Sequence, residues 1–468
     1  MQTKIFKIVA VCLPLLCGTG WSEPTRTMRV EYYHTGNAAT EMFSIDRVVV
    51  EPLPWPGNPA RPIDDTNLGK YLFEVRDRTT NRILFSRGFD SIYGEWETTG
   101  EARSVNRTFH ESLRFPAPIS PVQVVIRKRD AKNSFREVWS TVVDPQDIYV
   151  DTSAPARSVP VIEIQKSGDP ATKVDLLFLG EGYTNAQHAK CEKDIRRLAE
   201  SIFTFSPFKE RRQDFNLYAV CAAAAESGVS RPSAGIHRQT LFGSTFDAFG
   251  TQRYALSFDD RAIRTVASSA PYDALAIVMN ESAYGNGGIF GQFASVSVDY
   301  PYAARVFIHE FGHHFAGLGD EYYFNANVAY ESRADRVEPW EPNITVLLDP
   351  ERLKWKEMLA PGVPLPTPWP KDDYEKNLGE TPAKIRQMRE EKRPDAEIAA
   401  FQQEARRAAE QALESGPYAG MVGAFEGALY EGKGYYRPQQ RCIMISGREF
   451  CAVCQRAITR IIELDTGH

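Results

Sequence analysis

The sequence has few of the features that mark nucleic-acid-binding or membrane proteins. Its 468 residues carry 55 Lys and Arg against 61 Asp and Glu, which gives a net charge of −6 and a pI near 5.9. No basic excess is available to attract nucleic acid or an anionic membrane. Beyond residue 22, no apolar run approaches the roughly 20 residues of a membrane-spanning helix. We therefore expect no nucleic-acid partner and no membrane span.

Cysteine is also scarce. Seven are present in the chain, and those after residue 22 are Cys191, Cys221, Cys442, Cys451 and Cys454. This odd number leaves at least one thiol free or paired between chains. Cys451 and Cys454 form a C-x-x-C pair, but no second Cys or His pair follows at the spacing of a zinc knuckle. A local disulfide that involves Cys442 is therefore expected, with the connectivity left open.

Residues 1–22 have the composition of a secretory signal peptide. Lys4 and Lys7 supply a positive charge, and residues 8–16 supply an apolar stretch. Small residues suited to cleavage follow at Gly18, Gly20 and Ser22. We expect export to the periplasm, the cell surface or the medium, where disulfides can form.

Residues 23–155 are typical of a β-sandwich or a related barrel, and we expect a β-sandwich accessory domain. Short runs rich in Val, Ile, Tyr and Phe alternate with turn-rich segments. The predicted strands are residues 28–33, 45–50, 71–75, 83–86, 122–126 and 138–143. No catalytic group of residues falls among them.

Residues 156–468 alternate strands with helices, which predicts an α/β or α+β catalytic unit, and we expect the α+β fold class for the chain. Strands are predicted at residues 174–179, 215–220 and 274–279. Residues 284–298 fit either an ordinary hairpin or an edge strand that pairs with an extended peptide. Residues 325–420 are interpreted as a partly helical insertion, interrupted at Pro394.

The strongest chemical signal is the pentapeptide H-E-F-G-H at residues 309–313. On a helix, His309 and His313 lie on one face and can bind the same metal ion, while Glu310 reaches a water on that ion. Zinc with three protein ligands lowers the pKa of bound water to about 7. With only 8 His in the chain, the pattern arises by chance with a probability of roughly 1%. The pentapeptide therefore predicts a zinc hydrolase site.

The third ligand is expected shortly after this helix. Gly317 and Gly319 allow the helix to end and the backbone to return toward the metal. Asp320 is the predicted ligand, and Glu321 remains an alternative. Either carboxylate could instead orient the histidines. A rival is Glu331, placed as in the second helix of thermolysin-like enzymes, although the two glycines end the first helix too soon for it.

The segment H-E-F-G-H-H-F-A-G-L-G-D-E-Y-Y at residues 309–323 resembles the metal motif of the IgA-peptidase family, which are secreted, metzincin-like bacterial zinc endopeptidases. Residues 174–183, 422–438 and 442–454 resemble further blocks of that family. The resemblance implies an N-terminal β-sandwich domain followed by a metzincin-like zinc peptidase domain with a helical insertion.

By the same resemblance, Met444 would lie in the Met-turn, an apolar floor beneath the zinc. The sequence departs from the usual metzincin pattern, because the loop after His313 is one residue longer and ends in a carboxylate. Ser446 also stands where astacin-like members have a tyrosine. The oxyanion donor is therefore unassigned, and the candidates by residue type are Tyr435, Tyr436 and Arg437.

These observations predict an exported endopeptidase that binds Zn²⁺ and acts on protein or peptide substrates. His309, His313 and Asp320 would hold the metal, and Glu310 would act as general base and then as general acid. Two alternatives remain open: a binding or adhesion protein with a degenerate metal site, and a zinc-dependent hydrolase of non-protein bonds such as cell-wall amides. No residue indicates which protein is the substrate.

Overall fold

The computed structural model describes residues 25–153, 159–323, 336–391 and 393–467. Over these residues the chain is an α+β protein, as the sequence predicts, with one six-stranded sheet and two four-stranded sheets as its largest sheets. Within the same residues, no helix is long and apolar enough to cross a membrane.

The N-terminal part consists of two facing four-stranded sheets. Its strands are β1 (Arg26–Gly36), β2 (Glu41–Pro54), β3 (Tyr71–Asp77), β4 (Ile83–Phe89), β5 (Arg107–Pro116), β6 (Val122–Arg129), β7 (Phe135–Val143) and β8 (Val150–Asp151), and helix α1 (Ile92–Trp96) follows β4. The sheets have the orders β5-β1-β2-β8 and β4-β3-β6-β7. Alternate side chains from both sheets enter one core, which is the packing of a β-sandwich.

Each of the six strands predicted in this part is present. The longest strand that the prediction missed is β5, which pairs with β1 along its whole length. In β5 the buried Glu111 lies between Phe109 and Leu113 and interrupts the apolar alternation that marks a strand.

The second part is organised around a sheet with the order β15-β16-β14-β10-β11-β9. Its elements are β9 (Val161–Gln165), β10 (Val174–Glu181), α2 (His188–Ile202), β11 (Phe215–Val220), β12 (Ser244–Thr245), β13 (Leu256–Ser257), α3 (Asp260–Ala267), β14 (Ala274–Met279), β15 (Asn286–Ile289), β16 (Phe293–Ser297) and α4 (Ala303–Ala316). The central strands run parallel and are buried along their full lengths, because both faces of the sheet are covered. One core packs α2 and α4 on one face of the sheet, and a second core packs α3 and α1 on the other.

The remaining elements are α5 (Lys371–Glu390), α6 (Asp395–Leu413), β17 (Phe425–Ala428), β18 (Glu431–Arg437) and α7 (Ala452–Thr466). Pro394 precedes α6, so the helical insertion is interrupted where the sequence predicts. Tyr374 of α5 and Leu413 of α6 pack on Tyr323, which lies shortly after α4.

The disulfide pairing differs from the expectation for Cys442. Cys191 of α2 is bonded to Cys221, which follows β11, with an S–S distance of 2.05 Å. Cys442, Cys451 and Cys454 are buried free thiols, so the prediction of a local bridge at Cys442 was wrong. The sulfur atoms instead surround Glu321, a residue far away in the sequence that cysteine spacing alone does not reveal.

The two parts of the chain are joined by buried hydrogen bonds as well as by apolar packing. The amide of Asp90 donates to the carbonyl of Phe290 at 2.9 Å, and the side chain of Gln292 donates to the carbonyl of Asp90 at 2.9 Å. Arg114 of β5 donates to the carbonyl of Tyr272 at 3.0 Å. The sandwich is therefore fixed against the β15–β16 end of the central sheet.

His110 lies in this interface and is expected to make its stability depend on pH. Its ring lies 3.5 Å from Asp260 and 3.5 Å from Glu31. Burial lowers the pKa of His110, but these carboxylates outweigh burial and raise it to about 9. Because this pKa exceeds the unfolded value of about 6.5, the stabilisation is complete below pH 6.5 and is lost as the pH rises through 9.

We therefore expect His110→Gln to lower the free energy of unfolding by at most about 3 kcal/mol at pH 6 and by much less at pH 10. Urea unfolding of both proteins at each pH measures the difference. The exposed His237 provides a matched control, since His237→Gln should change stability equally little at both pH values. An equal loss for His110→Gln at pH 6 and pH 10 would contradict the charge argument.

Candidate metal centre

Helix α4 places His309 and His313 at the edge of the core. Phe307, Ile308 and Phe311 are fully buried on its other faces, whereas the two histidine side chains are 18% and 17% exposed. The apolar periodicity of the sequence thus positions the histidines at the wall of a cleft.

Three ligand-type atoms converge beside this helix. His309 Nε2 and His313 Nε2 lie 3.1 Å apart, and Asp320 Oδ1 lies 3.1 Å and 3.3 Å from them. Each imidazole Nδ1 faces a carbonyl oxygen, that of Ile443 for His309 and that of Leu318 for His313. With Nδ1 as the donor, each Nε2 presents its lone pair to the common point. Asp320 Oδ1 is buried and accepts no hydrogen bond from the described residues, so the three atoms fit a divalent cation.

The loop that carries Asp320 is held by side-chain hydrogen bonds on one side. Gly317 ends α4 with φ of 60°, a left-handed conformation that suits glycine. Asn343, which is fully buried, accepts a hydrogen bond from the amide of Gly319 at 2.8 Å and donates to its carbonyl at 2.9 Å. These bonds fix the direction in which the chain approaches the histidines.

The turn between β17 and β18 holds the other side of the same loop. Its residues Leu429 and Tyr430 have φ of 46° and 66°, which non-glycine residues adopt only at a cost in strain. Their amides donate to the carbonyls of Asp320 at 2.9 Å and Tyr322 at 3.1 Å, and the hydroxyl of Tyr430 donates to Asp320 Oδ2. The turn therefore leaves Oδ1 as the carboxylate oxygen that faces the histidines.

Within the cluster, the charges of the two histidines shift the pKa of Asp320, and the charge of Asp320 shifts the pKa of His313. Burial alone would raise the pKa of Asp320, but the two histidines hold it well below its usual range. Burial lowers the pKa of His313, yet Asp320 outweighs that effect and raises it to about 9. Asp320 is thus an ionised, anionic partner that favours positive charge at this point.

Glu310 lies beside the cluster and does not belong to it. Burial raises the pKa of its carboxyl group, and the two neighbouring histidines oppose that shift. Glu310 lines a cavity of about 490 Å³ together with the three converging residues. The N-terminal part contributes a wall of this cavity with Lys70, Asp90, Glu95, Glu97 and Arg103.

Strand β15 lies directly against α4 at the cavity. A Cβ atom on Gly288 would approach the carbonyl oxygen of Glu310 to 2.3 Å, so this contact requires glycine. The strand is both the first strand of a hairpin and the edge of the sheet, which are the two structures that the sequence predicts as alternatives. The amide of Asn286 donates to the backbone carbonyl of Arg253, and the carbonyl of Asn286 accepts from the amide of Ala255. This end of the edge strand is therefore already paired within the chain.

A family model described as IgA Peptidase M64 matches residues 162–462, and one described as Peptidase M64 N-terminus matches residues 22–140. The chain belongs to the IgA peptidase M64 family. A comparison with curated proteins finds no match. M64 proteins are metallopeptidases, so this chain is a peptidase by membership, and the resemblance found in the sequence is confirmed.

Met444 of this M64 chain lies beneath helix α4, which carries the two histidines. It is fully buried, and its sulfur would be 3.2 Å from a Cβ atom on Gly312 of α4. The carbonyl of Cys442 accepts hydrogen bonds from the amides of Ile445, Ser446 and Gly447, which closes a tight turn around Met444. An apolar floor is thus present below the histidines.

The other candidates from the sequence lie elsewhere in the M64 fold. Glu321 points away from the histidines toward three cysteines, and Glu331 lies outside the described residues. Tyr435, Tyr436 and Arg437 are not among the residues that line the cavity, because β18 leaves the cleft after Glu431. Tyr435 packs in a separate apolar cluster. The fully buried Arg437 donates to the carbonyls of Glu426 and Gly427.

The cavity is lined by other side chains that could donate a hydrogen bond to an oxyanion, and the sequence did not indicate them as donors. Tyr322 and Tyr430 line the cavity, as does Arg253, whose guanidinium lies 3.5 Å from the hydroxyl of Tyr322. The ring of Tyr322 stacks beside His309, with their centroids 6.3 Å apart. Tyr322 was visible as part of the M64 metal motif, whereas Arg253 lies in an irregular segment with no sequence signal.

Proposed function

We propose that this M64 peptidase is an exported zinc endopeptidase that hydrolyses protein substrates. The observation that carries the proposal is the convergence of His309, His313 and Asp320 beside Glu310 in one cavity. Two imidazoles and a carboxylate with an open position are typical of catalytic zinc, and non-haem iron oxygenases also use this donor set. Membership in a peptidase family favours zinc. The proposal of export rests on residues 1–22, and that of endopeptidase activity on the motif at residues 309–323.

Zinc bound at these residues would supply a Lewis acid that polarises the scissile carbonyl and lowers the pKa of water. Glu310 would accept the proton of the attacking water on a carboxylate oxygen and then pass it to the leaving amine nitrogen. Its burial supports this role, because a raised pKa makes the carboxylate a better proton acceptor.

Tyr322 is the proposed donor to the substrate oxygen that becomes negatively charged. Arg253 presents its guanidinium N–H to the hydroxyl oxygen of Tyr322. Because the Tyr322 hydroxyl oxygen accepts a hydrogen bond from Arg253, its own proton points away from Arg253. Both residues line the cavity. A donor fixed in this way stabilises the tetrahedral intermediate without reorganisation.

The proposal is tested by incubating the purified protein with casein, alone and with a zinc chelator. We expect cleavage at internal peptide bonds, loss of cleavage with the chelator and recovery when Zn²⁺ is restored. Mass spectrometry of the products locates the cleaved bonds, and His309→Ala serves as the inactive control. Binding of casein and other proteins without cleavage would favour the alternative of a binding or adhesion protein with a degenerate metal site. Cleavage that continues after complete removal of metal would contradict zinc catalysis.

A further inference from the structure

A second group of metal-ligating side chains lies directly behind the candidate active site. A carboxylate oxygen of Glu321 and the sulfur atoms of Cys442, Cys451 and Cys454 all lie within 4.8 Å of one another. These residues are 0%, 0%, 4% and 0% exposed, respectively. None of them is used by the proposed peptidase mechanism.

The distances within this group are those of ligands around a shared cation. Zinc–sulfur bonds of about 2.3 Å at tetrahedral angles place two sulfur atoms roughly 3.8 Å apart. Cys442 Sγ and Cys454 Sγ are 3.7 Å apart, far beyond the S–S bond length of about 2.05 Å. Glu321 Oε1 lies 3.3 Å from Cys454 Sγ and 3.8 Å from Cys451 Sγ.

One oxygen of the buried Glu321 carboxylate lacks a hydrogen-bond partner, although the sulfur atoms of Cys451 and Cys454 lie within hydrogen-bond distance of the other. Asn343 donates to Oε1 at 2.9 Å, but the buried Oε2 has no hydrogen-bond partner among the described residues. Burying a carboxylate without a compensating charge or hydrogen bonds is costly. A cation at the centre of the group would supply the missing charge.

The surroundings suit an anionic metal–thiolate complex. The amide of Cys451 donates to Cys442 Sγ at 3.2 Å, and the amide of Cys454 donates to Cys451 Sγ at 3.5 Å. A divalent cation with three thiolates and one carboxylate carries a net negative charge. Arg437 is fully buried, and its Nε and Nη2 atoms have no hydrogen-bond partner within the described part of the chain. Arg437 interacts electrostatically with Glu321 and Cys442, so its positive charge would offset the negative charge of the complex.

We propose that Glu321, Cys442, Cys451 and Cys454 bind a second zinc ion in a closed structural site. Thiolate ligands select soft cations such as Zn²⁺, and four protein ligands leave no open position for catalysis. The ion would connect three segments of the chain: the loop after Asp320, the turn that contains Met444 beneath α4 and the first turn of α7. Its function is to position Asp320 and the floor of the cleft.

The metal content of purified protein tests this assignment. We expect the wild-type chain to contain two zinc equivalents by inductively coupled plasma mass spectrometry. His309→Ala should retain one equivalent, since it alters only the active-site cluster. Glu321→Gln and Cys454→Ser should each lose the second equivalent.

Cobalt substitution gives a readout that does not depend on activity. Co²⁺-loaded wild-type protein and Co²⁺-loaded His309→Ala should both show thiolate-to-cobalt charge-transfer absorption, because the thiolates belong to the second site. Cys454→Ser should weaken or abolish this absorption. If Cys454→Ser does not fold, the spectra and metal contents of the wild type and His309→Ala still decide the question.

Each outcome separates the two metal sites. A single equivalent that His309→Ala loses would overturn the second site and leave the proposed peptidase function intact. A single equivalent that His309→Ala retains would support the second site and count against catalytic zinc. An intact mass that shows a disulfide among Cys442, Cys451 and Cys454, in addition to Cys191–Cys221, would also overturn the second site.

Discussion

Replacement of Glu310 with glutamine should reduce kcat by at least about 100-fold and by up to about 10,000-fold, while the zinc content stays at the wild-type value. Glutamine has nearly the same shape as glutamate, so the cavity and the neighbouring histidines keep their packing. Its amide cannot accept the proton of the attacking water. The change therefore removes the proposed proton transfer and leaves the metal ligands in place.

The measurement is the initial rate of casein cleavage at saturating substrate, together with metal analysis of the same preparation. Glu163→Gln is a matched control, because Glu163 is exposed on β9 and takes no part in the cleft. It should keep the wild-type kcat. A Glu310→Gln protein that cleaves at the wild-type rate would remove Glu310 from the mechanism.

Replacement of Asp320 with alanine should lose the catalytic zinc and, with it, the peptidase activity. Asp320 Oδ1 is the anionic member of the converging set, and the two imidazoles alone leave the ion with too few ligands. Loss of a hydrogen-bond partner of a ligand typically weakens metal binding by about 10- to 100-fold. Loss of the ligand itself should therefore cost more than about 100-fold in affinity.

Competition with a fluorescent zinc chelator measures this affinity. Tyr430→Phe removes the hydrogen bond to Asp320 Oδ2 and keeps the carboxylate ligand, so zinc affinity should fall by about 10- to 100-fold. Glu331→Ala should bind zinc as tightly as the wild type. If Glu331→Ala lost the ion and Asp320→Ala kept it, the third ligand would be assigned wrongly.

The positions of the metal-site residues could be predicted because they depend on local structure. Four-residue spacing on a helix brings His309 and His313 together, and the apolar residues between them fix which face is buried. The turn at Gly317 limits how far Asp320 can lie from the histidines. The roles of these residues remain proposals, but their proximity follows from a few residues of chain.

Residues brought to the cleft by distant segments could not be predicted in this way. Tyr430 reaches Asp320 because Leu429 and Tyr430 adopt positive φ, and neither residue type signals such a turn. By residue type alone, the nearby Tyr435 is a candidate instead, but it packs elsewhere. Glu321 was an alternative prediction for the third ligand of the active site. Its contacts with the cysteines depend on the tertiary fold, so the sequence does not reveal them.

The fold was predictable to the extent that strands show apolar alternation. The contribution of the N-terminal part to the cavity could not be predicted, because Asp90, Glu95 and Glu97 are charged residues near a short helix and belong to no motif. Their contact with the cleft depends on how the sandwich docks on the central sheet. The interpretation of this part as an accessory domain thus missed its proximity to Glu310.

Asp320 and Glu321 are consecutive residues whose side chains lie on opposite sides of one short stretch of backbone, one toward the histidines and the other toward the cysteines. This stretch of backbone separates the two groups of side chains, and consecutive residues face alternate groups. A one-residue insertion between Gly319 and Asp320 would exchange the faces and misplace both carboxylates at once. The length of this loop is therefore as tightly constrained as its composition.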